Sequence, residues 1–155
     1  MKSSLIALGI VASCWAVGTP CLAADVTAGT WKMSEAKSKH TGTSATYETV
    51  TIETAGDNMK VTLDGTDSAG KKVHAVWTGK YDGKDYPVTG NPEMESLSYK
   101  KIDDRHYEGT VKLGGKTVTS AKIQYSADGK TRTVTVSGTN SKGEKVSSTS
   151  VYEKQ

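Results

Sequence analysis

Short turn signals built around glycine divide most of this sequence into segments of strand length. They are Gly56-Asp57-Asn58, Ala69-Gly70, Asp82-Gly83, Gly114-Gly115, Asp128-Gly129 and Lys142-Gly143. Glycine tolerates positive φ, and Asp and Asn come close to it, as tight hairpin connections require. Each such turn reverses the chain beside the segment that precedes it. The series therefore predicts a meander of antiparallel strands.

The segments between the turns alternate apolar and polar residues. Met59, Val61 and Leu63 are separated by Lys60 and Thr62, so the three apolar side chains share one face of a strand. The same alternation occurs at Val50 and Ile52, at Val111 and Leu113, and at Val134 and Val136. No helical periodicity follows residue 24. The pattern predicts an all-β domain.

An internal repeat supports a closed arrangement of these strands. VTLDGTDSAGKKV at 61–73 and VTVSGTNSKGEKV at 134–146 match at eight of thirteen positions. The chain thus contains two related sets of hairpins. A meander of about eight to ten antiparallel strands that closes on itself hides the edges that a Thr- and Val-rich sheet would otherwise expose. We therefore expect a small up-and-down β-barrel in preference to a sandwich.

The first 23 residues have the order of a secretory signal peptide. Lys2 precedes an apolar run, the run ends at Gly18-Thr19-Pro20, and small residues follow up to Ala24. The run is too short to span a membrane. We expect cleavage after Ala23, with Ala24 as the alternative. This predicts a periplasmic or secreted protein with one β-barrel domain over 24–155 and no transmembrane segment.

A lipoprotein signal is the competing interpretation of the same region. Val11-Ala12-Ser13-Cys14 resembles a bacterial lipobox, which would leave Cys14 lipidated at a membrane face. The apolar run before Cys14 is short for that signal, and a better exit lies downstream. Cys14 and Cys21 both lie in the leader, so the exported domain is expected to fold without a disulfide.

Charge and composition exclude some functions. The formal net charge of +3 becomes +2 without Lys2, and the lysines are scattered among acidic residues, so no nucleic-acid surface is expected. The sequence has no Phe. Large aliphatic residues are also few, which predicts a thin core. The regular alternation argues against disorder.

Three motifs suggest relatives. GTWKMSEAKSK, YDGKDYPVTGNP and the closing VYEK resemble small secreted bacterial proteins with a lipocalin-like fold and no assigned activity. Gly29-Thr30-Trp31 is also similar to the G-x-W of the wider lipocalin and fatty-acid-binding superfamily. That resemblance implies that Gly29 and Trp31 are structural and that Trp31 closes the barrel floor under a late-strand arginine. Arg132 is the candidate, because Arg105 lies in a turn signal.

The sequence departs from the fatty-acid binders at the last strand. There the superfamily has an arginine two residues before a tyrosine, which binds the carboxylate of the ligand. This chain has Ser150-Val151-Tyr152 instead. By this resemblance, the motif that binds a carboxylate is missing.

The stretch TGKYDGKDYPVTG at 78–90 gathers aromatic residues in an otherwise Thr- and Lys-rich chain. Asp82-Gly83 predicts a type I′ turn, which would place Tyr81 and Tyr86 on the two arms of one hairpin beside Trp77. Aromatic side chains with a polar tip suit a small-molecule pocket, and they suit the core of a small barrel equally well. Our candidate ligand-binding residues are His74, Trp77, Tyr81, Asp85, Tyr86 and Tyr99, with the segment 32–46 as a lid.

Catalytic and metal motifs are missing from the sequence. His40, His74 and His106 have no second ligand at metal spacing, and no serine is framed as a nucleophile. We therefore expect no metal, no cofactor and no enzymatic activity. The first reading is an exported binding barrel for a small, partly apolar molecule. The alternatives are a structural or interaction protein of the cell envelope with a filled barrel, and an isomerase or cyclase that uses an inward His74 or Asp85.

Overall fold

The computed structural model describes residues 25–155 of the chain. The expected signal peptide, both cleavage alternatives and the Cys14 lipobox lie outside these residues. Eleven strands form: β1 (Gly29–Met33), β2 (Lys39–Thr41), β3 (Thr46–Ala55), β4 (Asn58–Thr66), β5 (Lys72–Gly79), β6 (Tyr86–Thr89), β7 (Ser96–Lys101), β8 (His106–Leu113), β9 (Lys116–Tyr125), β10 (Thr131–Thr139) and β11 (Lys145–Lys154). One short 3₁₀ turn lies at Glu35–Lys37.

The strands close into an antiparallel barrel. From β3 to β11 each strand pairs with the next one in sequence, and β1 completes the ring between β3 and β11. Ten strands therefore surround the core. β2 is not part of this ring and pairs with Ser147–Thr149 of β11. This confirms the predicted closed meander. Within residues 25–155, no helix is long and apolar enough to cross a membrane.

The alternation of the sequence decides which side chains enter the barrel. Met59, Val61 and Leu63 of β4 are buried, and the polar residues between them are more exposed. Ala75 and Trp77 of β5 are fully buried across from β4. Burial of these side chains on one face gives each strand its register, because a slip of one residue would turn the whole set toward solvent.

The repeat has a steric explanation at its glycines. Gly65 on β4 and Gly138 on β10 occupy equivalent repeat positions, and each packs against the backbone of the neighbouring strand. A Cβ on Gly65 would collide with the Thr46 carbonyl, and a Cβ on Gly138 would collide with the Val118 carbonyl. Gly138 also has φ +150°. Both positions therefore require glycine.

Most of the segment 32–46 is attached to the barrel, so the expected lid over the whole segment is not observed. Lys32 lies in β1, and β2 pairs with Ser147–Thr149 of β11. Ser38 fixes the intervening turn, since its hydroxyl accepts a hydrogen bond from the Val151 amide at 3.0 Å. Only Ser44 and Ala45 at the end of the segment line the cavity described below.

The hairpin predicted at 78–90 is also different from the observed structure. The structure has positive φ at Gly83 but not at Asp82, so Asp82-Gly83 is not a type I′ turn. β5 ends at Gly79 and β6 begins at Tyr86, so Tyr81 lies in the connection and not on a strand. That connection folds back toward β7, where the Gly83 amide donates to the Tyr99 carbonyl at 2.9 Å.

Candidate functional site

Trp31 closes one end of the barrel. Its side chain is fully buried, and its indole N–H donates to the Thr27 carbonyl at 3.0 Å. The ring packs edge-on against Tyr125, with centroids 5.3 Å apart. The cation over the indole ring is Lys154. The prediction that Arg132 packs over Trp31 is therefore wrong. The Arg132 guanidinium lies over the ring of Tyr152, 5.2 Å from its centroid.

A network of aromatic rings fills the interior next to this closed end. Trp77 is fully buried, donates its indole N–H to the Leu97 carbonyl at 2.7 Å and packs edge-on against Tyr99. Tyr81 contacts Tyr99 and also Tyr107, which in turn packs against Tyr125. Trp77, Tyr99, Tyr107 and Tyr125 belong to the hydrophobic core, and Tyr81 packs against it. Burial raises the pKa of Tyr107 to about 12, so its hydroxyl stays protonated at neutral pH.

The other expected binding residues lie away from the open interior. His74 is exposed on the outer face of β5, because the register turns Val73, Ala75 and Trp77 inward. Its Nδ1 lies 2.5 Å from Asp64 Oδ1. Asp85 is exposed and pairs with Lys112. No group of three or more His, Cys, Asp or Glu side chains converges within residues 25–155.

Tyr86 is half-buried beside Trp77 and donates its hydroxyl to Asp82 at 3.1 Å. Burial, followed by the Asp82 carboxylate that accepts this hydrogen bond, raises the pKa of Tyr86. The same hydrogen bond, after that from the Lys84 amide, helps to lower the pKa of Asp82. Tyr86 thus fixes the connection between β5 and β6. Of the six expected binding residues, Tyr99 alone lines the cavity.

The other half of the barrel contains a cavity of about 160 Å³. Its walls are mainly aliphatic side chains from β4 and from β7 to β11: Leu63, Leu97, Val111, Ile123, Val134, Val136 and Val146. Val134 and Val136 point inward and yet remain partly accessible, unlike the core residues near Trp31. The interior is therefore filled at one end and open at the other.

Arg132 lines the cavity on the side of the closed end. It is 4% exposed, and it is the inward residue of β10 that precedes Val134 and Val136 toward the rim. Its Nε donor is buried without a hydrogen-bond partner. Among residues 25–155, no ion pair includes Arg132. A positive charge therefore lies inside the barrel without a protein carboxylate.

Three tyrosines surround this guanidinium and remain neutral. Burial raises the pKa of Tyr99 to about 12, even though the Arg132 charge acts in the opposite direction. Burial likewise raises the pKa values of Tyr125 and Tyr152 against the same charge. All three hydroxyls are protonated at neutral pH. They provide rings and dipoles near Arg132, but no negative charge.

Two equivalent turns of the repeat form the rim of the cavity. In the turn after β4, the Asp67 amide donates to the Lys71 carbonyl, and the Asp67 side chain caps two further amides. Asn140 makes the same set of hydrogen bonds in the turn after β10. The repeated segments thus fold identically and meet at one end of the barrel.

Glu93 joins the two rim turns. Its carboxylate accepts hydrogen bonds from the Ser68 hydroxyl and, at 3.0 Å, from the Ser141 hydroxyl. The two serines are equivalent residues of the repeat. Beside them, Asn91 donates to the Tyr47 hydroxyl at 2.8 Å. The rim is held by side-chain hydrogen bonds that span the mouth of the cavity.

Sequence reasoning missed Arg132 as a cavity residue and missed the rim. The position of Arg132 could have been predicted from the alternation Arg132, Val134, Val136, because a charged residue in phase with two inward valines also points inward. The repeat indicates the two turns that form the rim. Its two turn segments are polar in both copies, but their meeting across the barrel depends on closure and cannot be read from spacing.

The fold and the cavity define the protein as a closed β-barrel with an internal pocket at one end. No protein-family model matches the chain, and the comparison with curated proteins found no match. Among solved structures it is similar to a redesigned β-barrel, mFAP1, bound to DFHBI, with 15% sequence identity and a TM-score of 0.41. That likeness covers 83% of this chain and 95% of the other.

Proposed function

We propose that this protein is an exported, non-enzymatic barrel that binds a small, partly apolar molecule in the cavity between Arg132 and the rim. The observation that carries the proposal is the cavity itself. A barrel needs no open space for stability, since a void removes packing contacts. An aliphatic wall with a few polar groups is the usual composition of a small-molecule pocket.

The size of the cavity limits the ligand. A space of about 160 Å³ is close to the roughly 150 Å³ apolar cavity that is known to take up benzene. It accommodates a single ring or a short branched chain. A long acyl chain does not fit unless the rim opens and much of the ligand stays outside.

The groups that line the cavity support binding and not catalysis. Arginine does not release its proton in proteins, and the raised pKa of Tyr99 keeps its hydroxyl protonated. Glu93 is engaged by Ser68 and Ser141 at the rim. Proton transfer near neutral pH would need a group that titrates there. His74 and Asp85, which the isomerase or cyclase alternative requires, are exposed outside the cavity.

A pair of matched variants tests the binding function. Ala121 lines the cavity, and Lys122 is the next residue of β9 on the outer face. Ala121→Met fills the space, whereas Lys122→Met adds the same side chain outside. We expect Ala121→Met to weaken binding of a neutral apolar fluorescent probe at least tenfold and Lys122→Met to leave it unchanged. Equal binding by both variants would place the probe elsewhere and reject the proposal.

Export is proposed from the leader-like first 23 residues and the resemblance to secreted lipocalin-like proteins. Intact mass of the protein isolated from its own cells tests it. We expect a chain that begins at Ala24 or Asp25 without lipid. A lipid-modified chain that begins at Cys14 would instead make the protein membrane-anchored, and a chain that keeps Met1 would contradict export.

The second candidate function is an envelope structural or interaction protein. The packed half of the barrel favours it, because Trp31, Trp77 and the tyrosines around them belong to one core cluster there. Under this function the cavity is a packing defect. Wild-type protein would then bind no apolar probe, and Ala121→Met would raise the melting temperature by filling the void.

A further inference from the structure

Arg132 is the feature of the interior that the barrel itself does not explain. A buried charge is costly unless it is paired and hydrogen-bonded. Arg132 is 4% exposed and its Nε has no partner. The ring of Tyr152 lies 5.2 Å from the guanidinium carbon, which offsets part of the cost through a cation–π contact. Tyr125 also forms a side-chain hydrogen bond with Arg132, but the Nε donor still needs an acceptor.

The protein supplies no anion to this site. Glu93 is the one carboxylate among the described residues that line the cavity, and the two rim serines occupy it. Tyr152 donates its hydroxyl to the Tyr47 carbonyl at 3.0 Å, so that proton is also engaged. The tyrosines near Arg132 remain neutral phenols, as shown above. Because no carboxylate among residues 25–155 pairs with Arg132, an anionic partner for Nε would come from outside the protein.

The cavity joins this charge to an apolar wall. On β10 the inward residues run from Arg132 through Val134 to Val136, so the charge lies deep and the aliphatic surface extends from it toward the rim. A ligand that satisfies both parts has an anionic head and an apolar body of ring size. Guanidinium donors match the two oxygens of a carboxylate in a bidentate arrangement.

We propose that Arg132 binds the carboxylate of a small aromatic or short branched carboxylic acid, whose apolar body fills the cavity up to the rim. This inference rests on the proposed binding function and specifies the chemical class of its ligand. It also revises the expectation from the last strand. Ser150 stands where the fatty-acid binders have their arginine, while this chain places a guanidinium on the neighbouring strand β10, paired in register with Tyr152.

Matched probes test the assignment on the wild-type protein. Benzoate carries the anionic head on a ring, benzamide has nearly the same shape without the charge, and toluene has the ring alone. Because hydrogen bonds to charged groups are the stronger ones, we expect benzoate to bind at least about tenfold more tightly than benzamide. Binding is measured by displacement of a neutral fluorescent probe and by the rise in melting temperature.

Two variants locate the charge that matters. Arg132→Met keeps an unbranched side chain and removes the charge, and Arg105→Met does the same in an exposed turn. We expect Arg132→Met to lose the preference for benzoate while still binding toluene, and Arg105→Met to keep the preference. Replacement of a buried charge by an apolar side chain is often neutral or stabilising, so Arg132→Met should fold.

A measurement on the unmodified chain covers the case in which Arg132→Met does not fold. Arg105 and Arg132 are the two arginines of the sequence, so protein labelled with nitrogen-15 at arginine gives two Nε–H signals. At equal occupancy, benzoate should shift the buried signal more than benzamide does, because a carboxylate accepts a stronger hydrogen bond from the guanidinium than a neutral amide does. The effect should persist at high salt, since screening weakens binding to surface lysines much more than binding to a buried charge.

The outcomes separate this inference from the function on which it rests. If toluene binds but benzoate binds no better than benzamide, the carboxylate assignment is wrong and the binding barrel stands. If chloride displaces the neutral probe as well as benzoate does, a ligand with an apolar body is also wrong. If none of the probes binds the wild type, both proposals fail.

Discussion

The ammonium group of Lys154 lies over the indole ring of Trp31, 5.2 Å from the ring centroid. The two residues are also Cα partners across β1 and β11, so the contact spans the seam where the barrel closes. Lys154 is exposed, so its charge stays in contact with solvent while it lies against the ring. Closure of the ring of strands and closure of the barrel end therefore depend on the same pair.

Loss of the Trp31 ring should destabilise the whole barrel. Trp31 is fully buried, and its removal leaves a void beside Tyr125 that a core with few large aliphatic residues cannot fill. We expect Trp31→Ala to lower the free energy of unfolding by about 3–5 kcal/mol. Denaturant titration measures the change. Ile102→Ala, at an exposed position, is the control and should have little effect.

Exchange of ligand should be faster without Glu93. The carboxylate joins Ser68 and Ser141 across the mouth of the cavity, and Glu93→Ala removes its hydrogen bonds with both serines. We expect association and dissociation rates of a neutral apolar probe to rise severalfold, with a smaller change in affinity, because the aliphatic part of the cavity lining is unaltered. Stopped-flow fluorescence measures the rates. Glu53→Ala, which removes an exposed ion pair with Lys60, should leave them unchanged.

The repeated glycines should tolerate no side chain. Gly65→Ala places a methyl group against the backbone of Thr46 and Tyr47, which cannot move aside as a side chain can. We expect a loss of about 2–4 kcal/mol from overpacking against a fixed strand. In Gly109→Ala the new methyl group meets the Tyr99 ring at 3.2 Å, and the ring can shift. Equal losses in the two variants would contradict the steric explanation.

Alkaline pH should unfold the barrel through its buried tyrosines. The folded pKa of Tyr99 is about 12 against an ordinary 10.0, so between these values the folded state holds a proton that the unfolded state has released. Stability is therefore full below pH 10 and falls as the pH rises toward 12, by up to about 1.4 kcal/mol per pH unit for one such group.

Tyr99→Phe isolates this contribution. It removes the hydroxyl and keeps the ring that packs against Trp77. The raised pKa values of Tyr107, Tyr125 and Tyr152 act in the same direction, so the variant should reduce the slope without abolishing it. Denaturant titrations from pH 9 to 12 give both slopes. A slope unchanged by Tyr99→Phe would show that the phenol of Tyr99 ionises freely in the fold.

The antiparallel meander could be predicted because its causes are local, whereas its closure by β1 and β11 is a non-local contact. Alternation at Met59, Val61 and Leu63 sets the inward face, and glycine turns such as Gly114-Gly115 reverse the chain between neighbouring strands. A meander needs no more than that. The connection at 80–85 was mispredicted because Asp82-Gly83 has the local chemistry of a tight hairpin, while pairing of Asp82 with Lys100 and burial of Tyr81 among other rings decide its path.

The candidate site could be predicted only in part, because an aromatic residue that is predicted to be buried can either line a cavity or fill the core. Tyr99 and Tyr81 look alike in the sequence, but the barrel places Tyr99 beside the cavity and Tyr81 in the packed end. Which end is filled depends on how side chains from strands distant in sequence share one space. Arg132 could have been found from its phase with Val134, since alternation is local information.

The barrel closes by joining β1 to β11, the first and last strands of the described chain. β11 follows every other strand of the described residues, so β1 lacks one of its two partners until β11 has folded against it. The pairing of Trp31 with Lys154 also has the largest loop to close of any strand pair in the ring, a non-local contact of the kind that slows folding. Until β11 pairs with β1, the remaining strands form an open sheet with two unpaired edges, and such edges can pair with other chains.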